Sequence, residues 1–243
     1  MGKLGYKDEA VMQCLLQEAR HKAKDFNSQE IANTLWSMFC LEMIDDLLLS
    51  TFLEGIESRE FDEEGLSALY LCQVSRSIEY PTVRALLPPR INDLTFKAWL
   101  RSVATIQSSR LHEDVSNILS RLKLEHENEA IVSGISTDIL LRGSTSLLSG
   151  VDGICDIVIE VDGPSHYLRG ERLCIFGPTK FKHRLLEKSG VKVLHVSYFE
   201  WDDLPDETAK QRYLSEMLYD AGYRNKSIII ITLYKKISRS QKE

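Results

Sequence analysis

The 243-residue sequence predicts an N-terminal array of helices followed by an α/β domain with a mixed sheet. Up to about residue 130, apolar residues recur at helical spacing. After Glu129 the period changes, and short apolar strands alternate with helices. The composition of 43% apolar and 27% charged residues excludes a disordered chain and a coiled-coil fibre.

The clearest predicted helix covers residues 25–39. Asn27 is suited to cap it, with Glu30 as the reciprocal partner three residues later. A weaker copy of this pattern follows 35 residues on, where Phe61 matches Phe26 and further apolar positions correspond. This spacing is typical of a helical-repeat array. Unrelated amphipathic helices are the alternative explanation.

Further helices are expected at 44–57, at 61–76 and from 93 to 122, with a break near Ser108 and Ser109. The predicted strands and helices of the α/β part are 130–132, 137–141, 155–161, 179–189, 191–196 and 206–221. Thr179 is the expected cap of the helix that Gly190 ends. Trp201 follows the last strand and is expected in the core.

Charge is unevenly distributed along the chain. Residues 1–130 carry 14 Lys and Arg against 21 Asp and Glu, whereas residues 131–243 carry 16 against 15. Within 169–192, seven basic residues stand against two acidic ones. The total charge of -6 argues against a surface that binds nucleic acid all over, and the basic segment allows binding through a restricted face.

Carboxylates mark the end of the strand 155–161. Glu160 and Asp162 share one face because side chains alternate along a strand, and Asp138 in the preceding strand could join them. Such a group could bind a divalent metal. The alternative is that Asp162 caps the turn at Gly163 while Glu160 is satisfied by a lysine or a main-chain N–H.

A basic stripe is predicted on the helix 179–189. Lys180, Arg184 and Lys188 lie four residues apart, and Lys182 flanks the same helix start, which is suited to a phosphate group. A solvated cationic face is the alternative. His166 could act as an acid or base, contact phosphate, or close the turn through hydrogen bonds.

Several other sites are disfavoured by spacing. The five cysteines are far apart with no Cys-x-x-Cys pair, which excludes the usual zinc ligand spacing. No apolar run approaches a membrane span, so we expect no membrane partner. Asp8 and Glu9 argue against an organelle transit peptide at the start of this sequence.

Specific stretches between 111 and 218 match a known family. They include Glu-Val-Asp-Gly-Pro-Ser-His at 160–166, Thr-Lys-Phe-Lys-His-Arg at 179–184 and Phe-Glu-Trp at 199–201. The segment resembles the RAP domain, an RNA-binding domain abundant in apicomplexans and found in FAST-kinase-like mitochondrial proteins. The helices before it look like the degenerate repeats that precede RAP domains.

The resemblance implies a restriction-endonuclease-like α/β fold. Asp138 matches the first metal-binding acid of that fold and Glu160 the second, but Asp162 stands where the catalytic lysine is expected. We therefore regard Asp138, Glu160 and Asp162 as vestigial, expect no catalysis, bound metal or cofactor, and would invoke magnesium only for a nuclease. The expected domains are a helical-repeat region at 1–108, a RAP domain at 109–222, and a C-terminal strand with a basic tail at 223–243.

The resemblance further implies an organellar, mitochondrial location and a role in a mitochondrial ribosome or an RNA-processing particle. We expect binding to RNA, most simply organellar rRNA, through a restricted basic face, and binding to other ribonucleoprotein subunits through the acidic helical half. The residues expected to contact RNA are Lys180, Lys182, Arg184, Lys188, His166 and Tyr167. A protein-only scaffold and a metal-dependent ribonuclease remain the alternatives.

Overall fold

Helices come first and a small mixed sheet follows in the computed structural model, which describes residues 1–80, 87–105, 107–143, 155–168, 174–225 and 228. The N-terminal helices are α1 Glu9–Lys22, α2 Ser28–Cys40, α3 Asp46–Leu53, α4 Glu63–Glu79, α5 Pro89–Ala104 and α6 Arg110–Arg121. Short 3-10 turns lie at Gly2–Leu4, Ala23–Asp25 and Ile56–Ser58. None of the described helices is long and apolar enough to cross a bilayer.

Local capping signals set the starts of these helices. The side chain of Asn27 accepts a hydrogen bond from the Glu30 N–H at 2.9 Å, and the Asn27 N–H donates to Glu30 Oε2 at 2.8 Å. This capping box confirms the predicted start of α2. Ser109 accepts from the His112 N–H at 3.1 Å and begins α6, which confirms the predicted break between α5 and α6.

The strands of the main sheet are β1 Glu127–Asn128, β4 Ile139–Leu141, β5 Ile157–Asp162 and β6 Lys192–Ser197, while β2 Ile131–Val132 and β3 Ile135–Ser136 form a two-stranded sheet. The order in the main sheet is β1-β4-β5-β6. β4 runs antiparallel to β1 and β5, and β6 runs parallel to β5. The predicted mixed sheet is confirmed. The strands β1 and β3 were not predicted, because each has two residues and so shows no alternation of apolar and polar side chains.

Three further helices complete the described chain: α7 Gly177–Lys188, α8 Tyr198–Asp202 and α9 Glu207–Asp220. A 3-10 turn at Pro164–His166 follows β5. α7 begins two residues before the predicted cap Thr179, since Pro178 is compatible with the first turn of a helix. Asp206 accepts from the Ala209 N–H at 2.8 Å and starts α9 as expected.

Packing divides the chain into two units. The helical unit comprises residues 1–107, 133–135 and 167–188, and the sheet unit comprises residues 108–132, 136–166 and 189–243. α7 therefore packs with the N-terminal helices, although it lies within the segment predicted as the RAP domain. The predicted limits of 1–108, 109–222 and 223–243 stay a prediction. Residues 144–153 of the Gly- and Ser-rich loop, the basic residues Arg169 and Arg172, and the tail beyond 225 apart from 228 lie outside the described residues.

Each unit has its own apolar core. In the helical unit, α4 packs against α2 and α5, with Ile31, Leu35 and Leu69 fully buried. In the sheet unit, one face of β4, β5 and β6 packs with α6 and α9. Trp201 is 1% exposed within this second core, as expected, and its Nε1–H donates to Asp114 Oδ2 at 2.8 Å.

Candidate functional site

The polar face of the sheet unit is set by strand register. Glu160 pairs with His195 and Asp162 pairs with Ser197 between the parallel strands β5 and β6. Paired residues on adjacent strands point to the same side of a sheet, so these side chains share one face. The opposite face carries Ile159 and Val161 into the core. The carboxyl end of β5 is where α/β folds place ligands.

Asp162 holds two imidazoles at this end of the strand. Its Oδ1 lies 2.9 Å from His166 Nδ1, and its Oδ2 lies 3.2 Å from His195 Nδ1. The Asp162 side chain is 1% exposed, whereas those of His166 and His195 are 31% and 37% exposed. A buried carboxylate within hydrogen-bond distance of Nδ1 fixes the orientation of each ring.

Asp138 and Glu160 bind main-chain groups. The Val161 N–H donates to Asp138 Oδ2 at 2.6 Å, and the Asp138 N–H donates to Glu160 Oε1 at 3.4 Å. Glu160 is fully buried and Asp138 is half-buried. These two hydrogen bonds join the residue before β4 to β5. The Asp138 N–H is thus one main-chain partner of Glu160.

The basic stripe of α7 lies in the helical unit, where Arg184 binds the carboxyl ends of two helices. Its Nη1 and Nη2 donate to the carbonyl oxygens of Cys40 at 2.9 Å and Phe39 at 2.6 Å, at the end of α2. Its Nε donates to Glu79 Oε1 at 3.2 Å, at the end of α4. Cations stabilise helix carboxyl ends, and Arg184 is 18% exposed. The Arg184 side chain therefore binds groups of its own chain.

Lys188 binds the same carboxylate. Its Nζ lies 2.5 Å from Glu79 Oε1 and 3.5 Å from Glu42 Oε2. Burial opposes ionisation of Glu79, but hydrogen bonds from Lys188 and Ser75 and the charge of Arg184 hold its pKa below the usual value. The hydrogen bond to Glu79 raises the pKa of Lys188. The structure thus brings Arg184 and Lys188 together on one acidic side chain.

The amino end of α7 is covered by the start of the chain. A Cβ at Gly177 would collide with the carbonyl oxygen of Gly2 and would lie 2.9 Å from that of Lys3. The Cys40 thiol donates to the carbonyls of Gly2 at 3.5 Å and Gly177 at 3.6 Å, and burial raises its pKa to about 11. Main-chain carbonyls therefore lie where the sequence suggested a phosphate group.

The other expected contact residues differ in exposure. Lys180 is exposed, and Lys182 is half-buried. Tyr167 is also half-buried and forms an antiparallel bridge with Ile175. Lys180, Lys182 and Tyr167 belong to the helical unit, whereas His166 belongs to the sheet unit.

Sequence reasoning did not single out His195 and Glu79. His195 is a polar residue among the apolar residues of β6, which is a weak signal, and only register places it beside Asp162. Glu79 ends α4 with no sequence signal of a partner, because its contact with Arg184 joins residues 105 positions apart.

Comparison with known proteins relates this geometry to a family. Residues 159–217 match the family model of the RAP domain, and residues 12–35 match that of a protein of unknown function, DUF1601. A chloroplastic RAP domain-containing protein of Oryza sativa subsp. japonica is 27% identical over 210 residues, covering 82% of this chain. The chain spans 31% of the length of that relative. The resemblance to the RAP domain that the sequence motifs predicted is therefore confirmed for residues 159–217, which hold α7, β6 and most of β5.

Proposed function

We propose that the chain is an organellar RNA-binding protein that contacts RNA through its RAP domain. The observation that carries the proposal is the family match over 159–217, because this segment includes His166, Lys180 and Lys182. The organellar assignment is supported by the name of the rice relative, which is chloroplastic. Our expectation of a mitochondrial location, derived from the resemblance, has no such support.

The contacts that we propose are those whose side chains reach solvent. Lys180 and Lys182 are suited to phosphate groups, and His166 and Tyr167 are suited to ribose or base. Arg184 and Lys188 contribute less, since Glu79 already binds both of them. Binding through so few cations is weaker and less dependent on salt than binding through the whole predicted stripe would be.

The partner proteins are proposed from charge. The acidic N-terminal half is suited to bind basic subunits of a ribonucleoprotein particle. More specifically, this particle would be a ribosome or an RNA-processing particle. Phosphate contacts of this kind need no cofactor. The helical-repeat array and the restriction-endonuclease-like fold stay predictions.

RNA affinity as a function of salt tests the proposal. The purified chain should bind single-stranded RNA with an affinity that falls as salt rises, with the modest slope expected of a few phosphate contacts. Lys180→Glu together with Lys182→Glu should weaken binding by at least about tenfold and reduce the salt slope by about one to two. Lys24→Glu, a reversal at an exposed lysine of the 3-10 turn Ala23–Asp25, is the matched control. A wild-type chain with no salt-dependent RNA affinity contradicts the proposal.

A protein-only scaffold is the second candidate. It is favoured by the ion pairs of Arg184 and Lys188, because part of the predicted basic stripe is bound to Glu79 of the same chain. Crosslinking in organelle extract separates the two candidates, because a scaffold yields protein neighbours and no RNA. The third alternative, a metal-dependent ribonuclease that would use Asp138, Glu160 and Asp162, is tested by RNA cleavage with added magnesium in the wild-type chain and in Glu160→Ala.

A further inference from the structure

A groove lies between α6, α8 and α9 in the sheet unit. Its larger part is a cavity of about 690 Å³, and a smaller part of about 290 Å³ shares Asp114, Asn117 and Lys210 with it. The residues that line both parts all belong to the sheet unit. The larger volume is in the range of ligand-binding clefts. The groove is therefore a possible binding site that is separate from the proposed RNA contacts.

The groove already binds one cation of its own chain. The Lys210 Nζ donates to Asp114 Oδ2 at 2.6 Å and lies 5.0 Å from the centroid of the Trp201 ring. The Trp201 Nε1–H donates to the same oxygen at 2.8 Å. Burial opposes ionisation of Asp114, but hydrogen bonds from Lys210 and Trp201 hold its pKa below the usual value. A carboxylate beside an aromatic ring is an arrangement that stabilises ammonium and guanidinium groups.

Two further carboxylates line the same cavity from different helices. Glu113 lies on α6 and Asp202 at the end of α8, and both are exposed. Among the residues that the structure describes, neither side chain has a hydrogen bond or an ion pair. Asn117, one turn after Glu113, adds a neutral amide to the lining. The cavity thus offers accessible acceptors that a ligand can use.

Negative charge exceeds positive charge along the groove. The lining carboxylates are Glu113, Asp114, Asp202, Asp206 and Glu207. The lining cations are Arg110, Arg121 and Lys210, of which Arg121 pairs with Glu207 and Lys210 with Asp114. This excess favours a cationic ligand and disfavours the phosphates of RNA.

We propose that this groove binds an arginine side chain from a basic segment of a partner protein, with Glu113 and Asp202 pairing with its guanidinium group. A guanidinium has five N–H donors in one plane and can bond to acceptors on two helices, whereas an ammonium acts as a point charge. The inference goes beyond the proposed function, because it gives the sheet unit a protein-binding surface that uses neither Lys180 nor Lys182. Single-stranded RNA is the competing occupant.

The test compares three labelled peptides with one sequence, a repeat of Gly-Ser-Arg in which arginine is kept or is replaced by lysine or by citrulline. Citrulline keeps the planar shape and lacks the charge. Anisotropy titrations of the full chain are made at about 50 mM salt, where screening is weak. The arginine peptide should bind about tenfold more tightly than the citrulline peptide and about threefold more tightly than the lysine peptide.

Variants with effects of opposite sign assign the site. Glu113→Gln combined with Asp202→Asn should weaken binding of the arginine peptide about tenfold, as the loss of two charge pairs would. Arg110→Gln should strengthen it about twofold, because a like charge leaves the same cavity. Asp203→Asn combined with Asp220→Asn is the matched control, since it makes the same change in net charge at two exposed carboxylates outside the groove lining. The control should keep the affinity within about twofold.

The outcomes separate this inference from the proposed function. Equal binding of the citrulline peptide, or an unchanged affinity in Glu113→Gln with Asp202→Asn, overturns the inference. RNA should bind these variants as it binds the wild-type chain. RNA affinity that falls in Arg110→Gln and rises in the carboxylate variant would place RNA in the groove and also overturn it. If the wild-type chain binds the arginine peptide and no RNA, the proposed function fails and the inference stands.

Discussion

The guanidinium Nε of Arg184 lies 3.2 Å from Oε1 of Glu79, a carboxylate whose side chain is 5% exposed. Arg184 also donates to the last carbonyls of α2, so one side chain of the RAP domain satisfies the ends of two N-terminal helices. A basic residue that sequence reasoning assigned to RNA is thereby a structural contact of the helical unit.

Loss of the Arg184 side chain should destabilise the chain strongly. Arg184→Met leaves Glu79 buried beside a single cation, and breaking a buried pair in this way costs about 3 kcal/mol. Lys188→Met should cost less than about 1 kcal/mol, because Lys188 is 45% exposed. Urea denaturation measures both free energies of unfolding. Arg184→Met combined with Glu79→Gln should cost less than the sum of the two single changes, and simple additivity would show that the two groups are not coupled.

Gly177 should tolerate no larger residue. In Gly177→Ala the new methyl group collides with the carbonyl of Gly2, so the contact between α7 and the 3-10 turn Gly2–Leu4 must move apart. We expect a loss of about 1–3 kcal/mol in the free energy of unfolding. Gly163→Ala is the control, because its Cβ has open space and should change stability by under about 0.5 kcal/mol. Equal stability of the two variants would contradict the close approach at Gly177.

Asp45 should contribute to the acid sensitivity of the helical unit. Arg20 Nε donates to Asp45 Oδ2 at 2.8 Å, and this hydrogen bond, opposed by burial and aided by the Leu48 N–H, holds the pKa of Asp45 below its usual value. A lowered native pKa gives stability that is present above the unfolded pKa and is lost as pH falls through the native one. Asp45→Asn keeps a capping side chain but removes this titration.

The prediction for Asp45→Asn is a flatter fall in stability below about pH 4 than in the wild-type chain. Urea midpoints measured across a pH series test it. Asp46→Asn, at the exposed neighbouring position, is the matched control and should follow the wild-type curve. If the stability of Asp45→Asn fell with pH as steeply as that of the wild-type chain, other carboxylates would determine the loss of stability in acid.

Asp114 should stabilise the sheet unit through Trp201. Asp114→Ala leaves the buried Trp201 Nε1–H without this acceptor and removes the Lys210 contact at 2.6 Å, which should cost about 2 kcal/mol. Asp93→Ala, which removes an exposed pair with Lys97, should cost under about 0.5 kcal/mol. In a Trp201→Phe background the effect of Asp114→Ala should shrink, because the indole donor is already gone. Tryptophan fluorescence during urea unfolding of the single variants and circular dichroism of the Trp201→Phe pair give these values.

Most of the helix and strand positions were predictable because their signals are local. The Asn27–Glu30 capping box, the Ser109 cap and the alternation along β5 each depend on residues a few positions apart. The start of α7 was misplaced by two residues, since Pro178 can lie inside the first turn. Helix α8 was not predicted, because a helix of five residues is too short to show a helical period in the sequence.

By itself, the sequence determined the order of helices and strands, the shared face of Glu160 and Asp162, and the family resemblance. Only the tertiary structure decided the partners of these residues. Asp162 meets His195 through the register of two parallel strands, across 33 positions, and Arg184 meets Glu79 through helix packing across 105 positions. Register and packing depend on the whole core, so no local pattern could show which basic residues contact protein and which histidines face a common carboxylate.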